Sequence, residues 1–66
     1  MARTDTENLF RRYKGKLVVV KSISGCEYQG HVEEITNDYV LLTAGGSQVF
    51  VVYDAIESVA VVETNR

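Results

Sequence analysis

The stretch that most constrains this chain is residues 25–42, GCEYQGHVEEITNDYVLL. It opens on a glycine turn and runs into an alternating segment. Cys26, Tyr28, Gly30 and Val32 share one face, and Glu27, Gln29, His31 and Glu33 share the other. At Glu33-Glu34 the alternation slips by one, and Ile35 stands where a regular strand carries a polar residue. A polar turn, Thr36-Asn37-Asp38, follows, and a new strand begins at Tyr39. A glycine and a phase slip inside one strand mark a bulge or sharp bend. A strand bent that strongly can serve two sides of a small closed barrel.

Length narrows the options further. The 66 residues make one domain, residues 1–66. A chain of this size buries only about 60% of its unfolded surface and needs support from disulfides, metal or oligomerisation. Cys26 is the single cysteine and His31 the single histidine, so neither an internal disulfide nor a zinc set is available. Self-association is the support left. The apolar runs at 17–20, 49–53 and 59–62 agree, because both faces of these strands need cover. No run approaches the ~20 apolar residues of a membrane span, and the first ten residues carry no signal-peptide core. The expectation is a soluble cytoplasmic protein with a reduced thiol.

Charge is divided along the chain. Six of the seven basic residues lie in the first 21 positions, where the net charge is +4; the remainder carries −6. Such asymmetry points to a partner for the basic part.

Thr4 and Glu7 have the spacing of a capping box, and acids precede bases as the helix dipole prefers. Leu9, Phe10 and Tyr13 form a narrow apolar stripe, and Gly15 ends the run. A helix is expected over about residues 5–14, lying on a barrel of about residues 16–63. The first strand spans 16–22, the bent strand follows, and the third spans 39–44. Gly45-Gly46-Ser47 makes a hairpin into a fourth strand over 48–53. That strand is uncharged and free of proline, an aggregation hazard as an open edge, so it needs a partner. Asp54 can cap one helical turn, with Glu57 three residues on, before a fifth strand over 58–63. The fold class is all-β with a short N-terminal helix: a strongly bent, five-stranded antiparallel small barrel.

This order resembles the Sm-like family, the Sm and Lsm proteins and bacterial Hfq, over nearly the whole chain. Gly30, Val32, Ile35, Tyr39 and Leu41 follow the first Sm motif. Val52-Tyr53-Asp54-Ala55-Ile56 resembles the Hfq closing motif, Tyr-Lys-His-Ala-Ile. The resemblance implies a homo-oligomeric ring in which the fourth strand of one subunit pairs with the fifth of the next, around a pore that binds single-stranded RNA. The pocket residues depart from the family. Thr36 and Val40 replace its Asp and Asn, Asp38 replaces its stacking residue, Val52-Tyr53 replaces its Arg-Gly, and Tyr53-Asp54 replaces the Lys-His of Hfq.

Two surfaces are candidates for nucleic acid. The first is the basic helix, where Arg3, Arg11, Arg12, Lys14 and Lys16 meet phosphates in a ring or simply match the helix dipole. The second is the pair of turns implied by the resemblance, where Asn37, Tyr39 and Tyr53 are the base contacts, unless the two tyrosines are core. Asp38 and Asp54 repel phosphate. Cys26 reads as a small buried hydrophobe and His31 as a surface or interface residue. Glu33 and Glu34 point to opposite faces and make no acid–base couple. No catalytic residue, metal or cofactor is expected. The function expected is non-catalytic binding of single-stranded nucleic acid, RNA before DNA, with a role in RNA processing or regulation. The alternative is a structural or protein-interaction ring, with other proteins as partners, that has lost the RNA pocket.

Overall fold

The structure, a computed structural model, describes residues 2–62. Helix α1 (Arg3–Arg12) is followed by β1 (Leu17–Ser22), β2 (Glu27–Ile35), β3 (Tyr39–Ala44) and β4 (Ser47–Val52). A single 3-10 turn (Tyr53–Ala55) then leads into β5 (Ile56–Val61). The strands form one antiparallel sheet in the order β4-β3-β2-β1-β5.

The phase slip in the sequence is a bulge. Val32 pairs with Leu42 and Glu34 with Leu41, so Glu33 is the extra residue. The insertion returns Val32 and Ile35 to the same interior face despite their odd spacing. A second register shift, between Lys21 and Ser22, leaves Glu57 unmatched on β5, because Lys21 faces Ser58 and Ser22 faces Ile56. Both extra residues are exposed glutamates, so the bends expel charge and keep the valines inside. Gly30 sits where β2 crosses close to β3: a Cβ there would lie 2.8 Å from the Thr43 carbonyl oxygen. In the β3–β4 hairpin Gly45 takes φ 61° while Gly46 stays outside the left-handed region, the pattern of a type II′ turn.

The core comprises Phe10, Val18, Val20, Val32, Val40, Leu42, Val51, Tyr53 and Ile56. Phe10 brings α1 onto the sheet and lies against the Tyr53 ring, with centroids 6.0 Å apart and planes at 17°. It is fully buried, a contribution of about 1.5–3 kcal/mol on area grounds. Leu9 and Tyr13 are half-buried beside it.

Several boundaries differ from the sequence reading. The helix starts two residues earlier, and Thr4 does not cap it. The N-cap is Ala2, without a side-chain bond. Thr6 is buried and donates its hydroxyl to the Ala2 carbonyl at 2.7 Å, while Glu7 is drawn to Arg11 instead of reaching back. Asp54 does not cap the 3-10 turn either, and Val52 is the N-cap. β5 begins at Ile56 and not Ser58, and position 63, the expected end of that strand, lies outside the described residues. Cys26 is exposed, not buried. It lies just before β2, at the mouth of the β1–β2 turn, where its backbone is held by Ser22 (the Ser22 N–H donates to the Cys26 carbonyl and the Cys26 N–H to the Ser22 hydroxyl) while its side chain stays in water.

Among the described residues no strand ladder joins β4 to β5 to close the barrel. β4 and β5 are the two ends of the sheet, and each is paired on one side only among the described residues. Phe50 and Val52 point outward from β4, 62% and 52% exposed.

Candidate nucleic-acid interface

Two turns and one helix end converge in space. The β2–β3 turn is organised by Thr36. Its hydroxyl donates to the Tyr39 carbonyl at 3.0 Å and accepts from the backbone N–H groups of Asp38 and Tyr39 at 3.2 and 3.0 Å. This is how a threonine side chain replaces missing backbone partners in a tight turn. The second turn, Tyr53–Ala55, is fastened to the first twice. The Tyr53 N–H donates to the Asp38 carbonyl at 2.9 Å, and the Tyr53 hydroxyl donates to the Thr36 carbonyl at 2.6 Å. The Tyr53 side chain is fully buried, and burial is the first cause that pushes its hydroxyl up to about 12.

Of the two roles that the sequence leaves open for Tyr53, base contact or core, the structure has core: the residue is the interior pin between the two turns, with no face left for stacking. Asn37 is exposed at the tip of the first turn. Tyr39 is half-buried and meets Phe50 edge-on, with centroids 5.3 Å apart. It pairs with Val52, so its ring belongs to the outer face of β3 and β4.

Arg3 closes the group. Its Nη1 donates to Asp38 Oδ1 at 3.1 Å, and its Nε and Nη2 donate to the two Asp54 oxygens at 3.4 and 3.3 Å. The hydrogen bond and charge of Asp54, then the charge of Asp38, raise the Arg3 guanidinium above its ordinary range. These partners are 35 and 51 residues away in sequence, and a capping role for Asp54 or a free phosphate-contacting role for Arg3 misses them. The only signal in the sequence is the mutual proximity that the family's barrel gives to the two turns.

The remaining cations lie elsewhere. Arg3 and Arg12 are separated by nine residues of helix, roughly 13 Å along its axis, so the basic residues do not form one patch. Arg11 donates from Nη2 and Nε to Glu7 at 2.6 and 3.1 Å. Arg12 lies 6.0 Å from the Tyr13 ring centre, a weak cation–π contact. Lys14 and Lys16 flank Gly15, whose N–H donates to the Val32 carbonyl, while the Val32 N–H donates to the Lys16 carbonyl. That exchange anchors the segment beside the β2 bulge. Arg12, Lys14 and Lys16 are exposed and make no ion pair with another described residue. His31 is exposed on β2. Among the described residues no cluster of histidine, cysteine and carboxylates is placed to hold a metal ion, and no helix is long and apolar enough to cross a membrane.

No family model matches the sequence, and no curated protein matches it. Solved structures do. The crystal structure of the pleiotropic translational regulator Hfq superposes with a TM-score of 0.75 at 23% identity, covering 92% of this chain and 97% of the Hfq chain. With the N-terminal helix, the bulged second strand and the five-stranded antiparallel order already described, this similarity establishes that the chain has the Sm-like fold.

Proposed function

We propose that this chain is a soluble cytoplasmic protein that binds single-stranded nucleic acid without catalysis, RNA in preference to DNA, as a homo-oligomeric ring. The observation that carries the reading is the group of exposed cations Arg12, Lys14 and Lys16 at and just after the end of α1, which make no ion pair among the described residues, on a fold shared with a translational regulator. Arg11 joins them by exchanging Glu7 for phosphate. Copied around a ring, a few cations per subunit become a continuous positive band, and a polyanion engages many of them at once. Asn37 and Tyr39 are the base contacts in this reading.

Two open edges support the ring. Among the described residues β4 and the 57–61 part of β5 each have a strand partner on one side only, and the residues around these edges are apolar: Phe50 and Val52 on one, Val59, Ala60 and Val61 on the other. Pairing β4 of one copy with β5 of the next satisfies both edges and leaves none free.

The test is native mass spectrometry followed by titration with labelled single-stranded RNA and DNA at two salt concentrations. Each phosphate met by a cation adds about 0.7 to the slope of log affinity against log salt. The expected result is a ring that binds RNA more tightly than DNA, with steep salt dependence. Arg11→Glu with Arg12→Glu weakens binding at least tenfold at low salt, because two attractions per copy become repulsions. A stable monomer overturns the ring. A ring that leaves RNA unbound at low salt overturns the RNA reading in favour of a protein-interaction ring.

A further inference from the structure

Arg3 stands apart from the other cations in place and in occupation. The guanidinium fork that grips Asp54 through two nitrogens and Asp38 through a third is the same donor set that grips a phosphate. Counting Arg3 against its two partners, the turn pair carries one net negative charge per copy, so a passing phosphate meets carboxylates and not a free cation.

Two features argue against a purely structural role for this contact. First, all three side chains remain in water: Arg3 is 58% exposed, Asp38 60% and Asp54 66%. Ion pairs that exposed are weak and exchangeable. Second, the two turns are held together without them, by the Tyr53 hydroxyl on the Thr36 carbonyl and the Tyr53 N–H on the Asp38 carbonyl. Removing the ion pairs leaves those bonds in place. The Arg11–Glu7 pair differs, because it joins neighbours on one helix and spans no turn.

We propose that the Arg3–Asp38–Asp54 clamp is a self-inhibiting contact, in which two carboxylates occupy the guanidinium that a nucleic-acid phosphate takes when it displaces them. The inference rests on the RNA-binding reading above and concerns the regulation of that site. In the clamped state the turn pair excludes phosphate and confines the strand to the Arg12, Lys14 and Lys16 band. When a strand is held there at high local concentration, its phosphates compete for Arg3, and the clamp opens to extend the contact.

The experiment compares the full chain with Asp38→Asn/Asp54→Asn and with the same pair combined with Arg3→Ala. The amides keep the shape of the carboxylates and remove their charge. The double variant is expected to keep the wild-type melting temperature and to bind an RNA oligonucleotide about tenfold more tightly at low salt, the scale of one charge-assisted contact. One added phosphate contact raises the salt slope by about 0.7, so the gain shrinks about 2.6-fold between about 50 and 200 mM salt. Arg3→Ala in that background is expected to abolish the gain. If the triple variant keeps it, the acids act by repulsion alone and the clamp is overturned. If the wild type binds RNA and the double variant binds no more tightly, the clamp fails while the RNA reading stands. If neither binds at low salt, both fail. If only the double variant binds, and Arg3→Ala removes that binding, the clamp is supported in its strongest form.

Discussion

The Tyr53 hydroxyl is the most economical place to test how the two turns are held. Tyr53→Phe keeps the ring, its burial and its packing on Phe10, and deletes one hydrogen bond to the Thr36 carbonyl. A neutral hydrogen bond is worth about 1 kcal/mol net, and a carbonyl stranded without a partner costs about 1–3 kcal/mol. Thr36 is only half-buried, so water recovers part of that cost. The expected destabilisation is about 1–2 kcal/mol. In a domain of this size 1 kcal/mol moves the melting temperature by about 4–8 °C, so the drop should be about 5–15 °C. Urea unfolding at fixed protomer concentration is the assay, because association contributes to apparent stability. The midpoint should fall with an unchanged slope.

The same variant has a second readout in pH. Burial first, and then the charge of Glu7, pushes the Tyr53 hydroxyl from 10.0 up to about 12 in the folded chain. A raised folded value means that the unfolded chain gives up this proton first. The stabilisation is complete below pH 10 and is lost as pH rises through about 12. The wild type should therefore lose stability across that window, and Tyr53→Phe should lack this share of the loss. The gap between the two proteins should narrow as pH rises. A variant with an unchanged midpoint and the wild-type alkaline slope would refute the interior pin, and with it the claim that the turns are held without Arg3.

Two further substitutions address the bend and the edge. Gly30→Ala places a Cβ 2.8 Å from a backbone oxygen of β3, so the strand must shift; a loss of about 1–3 kcal/mol is expected in urea, and wild-type stability would show that β2 and β3 do not approach so closely. Phe50→Glu puts a charge on the outward face of the β4 edge, where a folded monomer loses chiefly the Tyr39 ring contact, about 0.5–1.5 kcal/mol, but a ring joined at that edge should dissociate in native mass spectra; an intact oligomer would place the joint elsewhere.

What the sequence disclosed and what it withheld divide along physical lines. The bulge was readable because a period of two is local: Val32 and Ile35 cannot both face inward unless one residue between them is extra. The burial of Tyr53 was readable in principle by the same rule, since it shares parity with Val49 and Val51 on the strand before it. Its place in the closing motif pointed instead to the pore. Cys26 shows the limit of parity, because it has the inward phase of Tyr28 and Gly30 but sits in the β1–β2 turn at the end of the sheet, where its side chain is exposed. Caps are local too, yet neither Thr4 nor Asp54 caps a helix: α1 already begins at Arg3, which puts Thr4 inside it, and Asp54 meets a cation 51 residues away.

Charge was the least legible property, because counting along a chain ignores partners. The first 21 residues hold six cations, but the structure ties Arg3 to Asp38 and Asp54 and Arg11 to Glu7. Arg12, Lys14, Lys16 and Lys21 make no ion pair among the described residues. The free positive charge is therefore concentrated from the helix's last turn through the link to β1, with Lys21 near the far end of that strand. At the helix's first turn the field is reversed, since one cation faces two acids that came from the acidic half of the chain. A single net charge for the N-terminal part hides these opposite ends. The two ends of α1 therefore present opposite charge, and the reason lies in contacts that only folding creates.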